Sequence, residues 1–119
     1  ITYIFICHDM ALVSLFSHRI AVMYLGNMME KLDGDKLHQA RHPYTRALLK
    51  AVFSTDQAKN QYIGILPGDI PSPLNIPSGC PFQNRCEHCQ ELCQKEKPTF
   101  RELEPNHFVA CHYSDSINY

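Results

Sequence analysis

The chain has 119 residues, 45% of them apolar, and a formal net charge of −1. Surface scaling lets a chain of this size bury about two-thirds of its unfolded area, so a core is attainable. The near-neutral charge and the lack of a basic run exclude a nucleic-acid binder that works by neutralising phosphates, and no apolar stretch approaches the roughly 20 residues of a membrane-spanning helix.

The first six residues, Ile1-Thr2-Tyr3-Ile4-Phe5-Ile6, are β-branched, aromatic and almost all apolar, which reads as a strand buried on both faces. Such a strand needs neighbours on both sides, more than one helix and two further strands supply. The chain is therefore expected to be the C-terminal piece of a longer protein. Cys7 lies in the same run and is expected to be an ordinary buried cysteine. His8-Asp9 ends the strand, and Asp9 is placed to cap a short helix over Met10 to Phe16. A second apolar strand, Ile20 to Leu25, meets the turn pair Gly26-Asn27 and returns as Met28 to Leu32, with a further turn at Asp33-Gly34-Asp35. The order strand, helix, strand, hairpin strand suits the closing edge of an α/β sheet.

Pro43 sits where a helix can begin, because the first turn has no use for the missing N–H. Tyr44, Ala47, Leu48, Ala51 and Val52 recur at helical spacing and define one apolar face, while Lys50 favours the C-terminal end of the helix dipole. Beyond residue 53 the texture changes. Residues 1–30 hold 20 apolar residues, whereas residues 54–119 hold 23 and carry seven of the eight prolines. Two regions are expected, 1–53 and 54–119. The stretch Pro67-Gly68-Asp69-Ile70-Pro71-Ser72-Pro73 cannot be a sheet interior, since proline fixes φ and removes donors. Such a tail must be held by packing or by cross-links.

Five of the six cysteines, Cys80, Cys86, Cys89, Cys93 and Cys111, supply them, beside His88, His107 and His112. An odd set of thiols next to histidines points to a bound metal rather than a disulfide framework, and thiolate–metal bonds would couple ligand binding to folding. Four thiolates suit zinc or an iron–sulfur cluster. Only Cys86-Glu87-His88-Cys89 has the form of a zinc knuckle, and the wider spacing of Cys80, Cys86, Cys93 and Cys111 suits a larger object, so spacing leaves both open. An independent metal-binding or redox-sensing module, without ATPase activity, would use the same residues.

The segments Phe5-Ile6-Cys7-His8-Asp9-Met10, His42-Pro43-Tyr44-Thr45-Arg46-Ala47-Leu48-Leu49, Gly68 to Pro73, Gly79-Cys80-Pro81-Phe82 with Arg85-Cys86, and Val109-Ala110-Cys111-His112 together resemble the ATP-binding subunits of oligopeptide and dipeptide ABC transporters. The likeness runs to about Tyr113. It implies an α/β fold in which 1–53 is the C-terminal edge of an ABC-type nucleotide-binding domain and 54–119 the Pro- and Cys-rich C-terminal domain of the peptide transporters. It further implies that His8 is the switch histidine that senses the γ-phosphate of ATP, with Mg2+, in the intact parent. An imidazole at the end of a parallel strand lies where α/β sheets bind ligands. Cys80, Cys86, Cys93 and Cys111 match the family's four cysteines, understood to hold a [4Fe–4S] cluster. Cys89 departs from the pattern, and with Cys86 it forms a chelating pair that suits zinc or an alternative ligation. The implied partners are a second ATP-binding subunit, two membrane permease subunits and a peptide-binding protein outside the membrane. The implied location is the cytoplasmic face of the membrane. These 119 residues contain no G-x-x-x-x-G-K-[ST] phosphate loop, so this chain is not expected to hydrolyse ATP alone.

Overall fold

The short Asp9 side chain decides where the first helix begins. In the computed structural model its carboxylate accepts the backbone N–H groups of Ala11 at 3.0 Å and Leu12 at 3.2 Å, which starts α1, Met10–Phe16. The structure describes residues 1–7, 9–53 and 74–116, without the side chain of Phe53. His8 and the segment Gly68 to Pro73 lie outside the described residues.

After α1, β1 spans Arg19–Tyr24 and β2 spans Asn27–Asp33, paired antiparallel with Ile20 opposite Leu32 and Val22 opposite Glu30. β1 alternates as a half-buried strand should, with Ile20, Val22 and Tyr24 inward. The turn between the strands is Leu25-Gly26, with φ of 49° and 75°, the double left-handed geometry of the two-residue hairpin. It stands one residue earlier than the Gly26-Asn27 expected from sequence, because Asn27 pairs with Tyr24 and its amide donates to the Leu25 carbonyl at 3.0 Å. The turn expected at Asp33 to Asp35 is instead the start of a 3-10 helix, Gly34–Gln39. Its entry is closed by the Gly34 N–H donating to the His18 carbonyl at 2.9 Å.

α2 spans Pro43–Phe53. Tyr44, Leu48 and Val52 pack against the core as the periodicity predicts, but the fully inward positions are Thr45 and Leu49, one step round the helix from the expected centre. Position 45 was hidden from a hydrophobicity reading by its hydroxyl. Further on, α3 spans Glu91–Lys95, and a hairpin follows of β3, Arg101–Glu104, and β4, His107–Val109. At its tip Pro105 is followed by Asn106 with φ of 63°, residues suited to a tight turn. β4 pairs with β2, Glu30 opposite Val109 and Lys31 opposite Phe108, giving a four-stranded antiparallel sheet in the order β1-β2-β4-β3.

The described residues thus form an α/β arrangement around a small sheet, with the cysteine-bearing part built onto β2 rather than left irregular. Met10, Ile20, Val22, Leu32, Leu37 and Leu49 make one core. Tyr24, Met29, Phe82, Cys80 and Cys93 make a second, and Tyr44 touches both. Residues Ile1 to Ile6 do not form the expected buried strand: Ile4 is 87% and Ile6 97% exposed, and Cys7 is exposed with them. The physical reason is that the sheet, in the order β1-β2-β4-β3, pairs none of its strands with this segment, which therefore has no ladder to bury it.

Candidate functional site

Two features of the sequence bring the cysteines together. Gly79, with φ of 87°, lets the chain pass against the end of α3, where a Cβ would fall on the Cys93 carbonyl oxygen. Cys80 then donates its backbone N–H to that same carbonyl at 2.7 Å. On the other side, β4 delivers Ala110, whose N–H donates to the Met29 carbonyl at 2.8 Å, and so sets Cys111 beside the sheet. As a result Cys80, Cys86, Cys93 and Cys111 all line one cavity, together with His42, His88 and His112. Cys89 does not line it, although its thiol lies beside Cys93; its Sγ also contacts the Gln90 carbonyl at 3.7 Å. His107 does not line the cavity either.

All six cysteines are free thiols. Burial pushes the Cys80 thiol up to about 11 and the Cys86 thiol up to about 12, and the neighbouring cysteines add to both. Burial likewise raises Cys111, with Cys93 adding to the rise. Burial therefore disfavours the anionic form of Cys80, Cys86 and Cys111 unless a positive charge joins them. Among the described residues, no group of three or more Cys, His, Asp or Glu side chains is already arranged to hold a metal ion. The thiols face a common space without being drawn together at its centre.

Aromatic rings wall the site off from the first core. Phe82 is 2% exposed and meets Tyr24 edge-on at 5.3 Å, Tyr44 at 5.2 Å and His42 at 5.9 Å between ring centroids. Behind them lies a buried polar network that sequence reading missed. Glu30 is fully buried, its Oε1 lying 2.6 Å from His107 Nε2 and accepting the Arg41 N–H at 2.7 Å, while Oε2 accepts the His42 N–H at 3.2 Å. Burial alone would raise this carboxyl, but the hydrogen bonds from His107, the Arg41 amide and the His42 amide outweigh it and hold Glu30 below the usual carboxylate range. His42 is pulled the other way, down to about 4, because burial disfavours the imidazolium more than Glu30 and the Ala110 carbonyl favour it. The signal was present in the sequence: in the strand Met28 to Leu32, Glu30 falls on the same alternating positions as Met28 and Leu32, and a carboxylate on an apolar face demands a partner.

His8 cannot be placed against this site, since it lies outside the described residues. The sequence puts it immediately before the Asp9 cap of α1.

Comparison with known families places residues 29–93, more than half of the chain, in the C-terminal region of oligopeptide/dipeptide transporters. The chain belongs to that family. It is 47% identical over 114 residues to the oligopeptide transport ATP-binding protein OppF of Haemophilus influenzae, covering 93% of this chain and 34% of that protein. It is 45% identical over 116 residues to the oligopeptide transport ATP-binding protein AppF of Bacillus subtilis, covering 94% of this chain and 35% of that protein. A peptide import ATP-binding protein of Brucella ovis, so named provisionally, is 46% identical over 112 residues, 93% of this chain and 35% of its own length. The chain thus spans about a third of the length of the curated relatives it matches.

Proposed function

We propose that this chain is the C-terminal part of an ATP-hydrolysing subunit that energises import of oligopeptides or dipeptides. The subunit would act at the cytoplasmic face of the membrane, with a second ATP-binding subunit, two permease subunits and an external peptide-binding protein. The observation that carries this reading is the match along nearly the whole chain to peptide-transport ATP-binding proteins at close to half identity. The uncovered apolar residues of Ile1 to Ile6, with Leu12, Leu15 and Phe16, support it, because a surface of this kind is normally packed against further protein. Among the described residues no helix is long and apolar enough to cross a membrane.

In this reading His8 is the switch histidine. An imidazole hydrogen-bonded to a γ-phosphate oxygen helps orient the attacking water and stabilises charge as it develops. ATP and Mg2+ would be held by parts of the subunit other than these residues. The test is ATP hydrolysis by the assembled transporter carrying His8→Ala. A loss of about a hundredfold is expected from removing one such contact, and full activity would remove His8 from the mechanism.

The cysteine set fits a metal centre by its chemistry: Cys80, Cys86, Cys93 and Cys111 line one cavity, and Cys89 is not among its lining residues. Cys80, Cys86, Cys93 and Cys111 would hold a [4Fe–4S] cluster, which when bound supplies the positive charge that buried thiolates need and ties α3, β4 and the Gly79 turn together. The role is structural, for no second redox centre is offered by these residues. Anaerobic purification with iron and sulfide analysis decides it: stoichiometric zinc without iron would replace the cluster with a zinc site.

A further inference from the structure

Apart from the thiols, the cavity wall contains a buried side chain with an unused donor. His42 is 1% exposed and lines the cavity with the four cysteines. Its Nδ1 accepts the Tyr44 backbone N–H at 3.0 Å, which assigns the proton of the neutral ring to Nε2. Among the described residues that Nε2–H has no hydrogen-bond partner. The Ala110 carbonyl lies near enough to favour a proton on the ring, but the contact does not reach hydrogen-bond geometry. The ring is also held in place by that Nδ1 bond and by Phe82, which packs beside it in a tilted arrangement with centroids 5.9 Å apart. A buried donor without an acceptor is rare in folded proteins and calls for an explanation.

A neutral thiol is a weak acceptor, whereas metal-bound thiolate or sulfide carries negative charge and accepts strongly. We infer that His42 is a positioning residue of the cysteine cavity, its Nε2–H donating a hydrogen bond to a metal-bound sulfur there. The inference rests on the reading of the four cysteines as metal ligands. It explains the histidine in the His-Pro-Tyr start of α2, since one imidazole accepts from the first turn of α2 through Nδ1 and would reach the metal centre through Nε2. A donor aimed at a bound sulfur withdraws charge from the centre, which favours its reduced form and strengthens retention of the metal.

The experiment uses the full-length protein, reconstituted anaerobically with ferrous iron and sulfide, in three forms: unmodified, His42→Asn and His42→Gln. Asparagine keeps an acceptor near the position of Nδ1 and loses the distal donor, whereas glutamine keeps an N–H near the position of Nε2. His42→Asn is expected to weaken iron retention against a chelator by about tenfold, the effect typical of a lost outer-shell partner, and to lower the reduction potential. His42→Gln should restore most of both. Potentials and retention equal to the unmodified protein in both variants would overturn the inference, as would equal losses in both, which mark a packing role. Should neither variant fold, pulsed electron paramagnetic resonance on the reduced, 15N-histidine-labelled protein remains: a coupled histidine nitrogen with an exchangeable proton is expected, and its absence overturns the inference. If the unmodified protein binds neither iron nor zinc, the reading of the cysteines as ligands fails as well, a result visible before any substitution is made.

Discussion

Residues 1–7 and residues 74–116 reverse what their compositions suggest. The first segment is almost wholly apolar yet lies exposed and unpaired, while the second, rich in proline and charge, builds a hairpin, a helix and part of a core. The difference teaches that burial is a property of a partner surface rather than of a segment. The tail has β2 to pair with and Tyr24, Tyr44 and Met29 to pack on, whereas no strand in this sheet borders Ile1 to Ile6.

The contrast breaks first at Glu30. Replacing it with alanine strips the carboxylate from His107 and from the Arg41 and His42 amides, and a loss of about 3–5 kcal/mol is expected from breaking a buried charged network. Urea unfolding measures it. A change below about 1 kcal/mol would mean that the tail is held by other contacts.

Acid should attack the same junction. His42 has its folded value depressed from 6.5 to about 4, so the unfolded chain binds the extra proton first. The stability held by its neutral ring is present above about pH 6.5 and is lost as pH falls toward 4, roughly 3 kcal/mol in all. Glu30, also depressed, adds its loss at lower pH, as the solution falls below the ordinary carboxylate range and through the folded value. Unfolding free energies measured between pH 7.5 and pH 4 should therefore decline in the unmodified protein and decline much less in His42→Asn. A flat profile would show that the ring is not desolvated.

At Gly79 the comparison sharpens, because the tail's fold needs a left-handed residue pressed against the Cys93 carbonyl. Gly79→Ala is expected to cost about 1–3 kcal/mol, and to speed alkylation of Cys80 and Cys93 by a thiol reagent. Unchanged stability and alkylation rates would show that the turn can relax. Asp9→Ala, removing the cap of α1, should cost about 1 kcal/mol, read as a lower thermal midpoint. The smallest effect falls in the first segment: Ile4→Ala in the 119-residue chain should stay within about 0.5 kcal/mol, and a larger loss would show that Ile4 is covered after all.

Much of the local structure was legible in the sequence because it is decided by neighbours along the chain. The Asp9 cap, the β1–β2 hairpin, the Pro43 helix start and the cysteine set are all visible as residue types at short spacing. The hairpin turn was displaced by one residue because the choice between Leu25-Gly26 and Gly26-Asn27 depends on which pairing buries Tyr24 and Met29, a matter of packing. The pairing of β4 with β2 was not legible at all, for His107 to Val109 is too short to show a period.

By itself, the sequence determined the family, the thiols available to a metal and the apolar faces of the helices, since these depend on residue identity and local spacing. Only the tertiary structure decided that Glu30 finds His107 across 77 residues of chain, and that His42, whose Nε2–H is unpartnered among the described residues, stands in the wall of the thiol-lined space. Those arrangements arise when distant backbones meet and water is excluded between them, and no local pattern records which segments will do so.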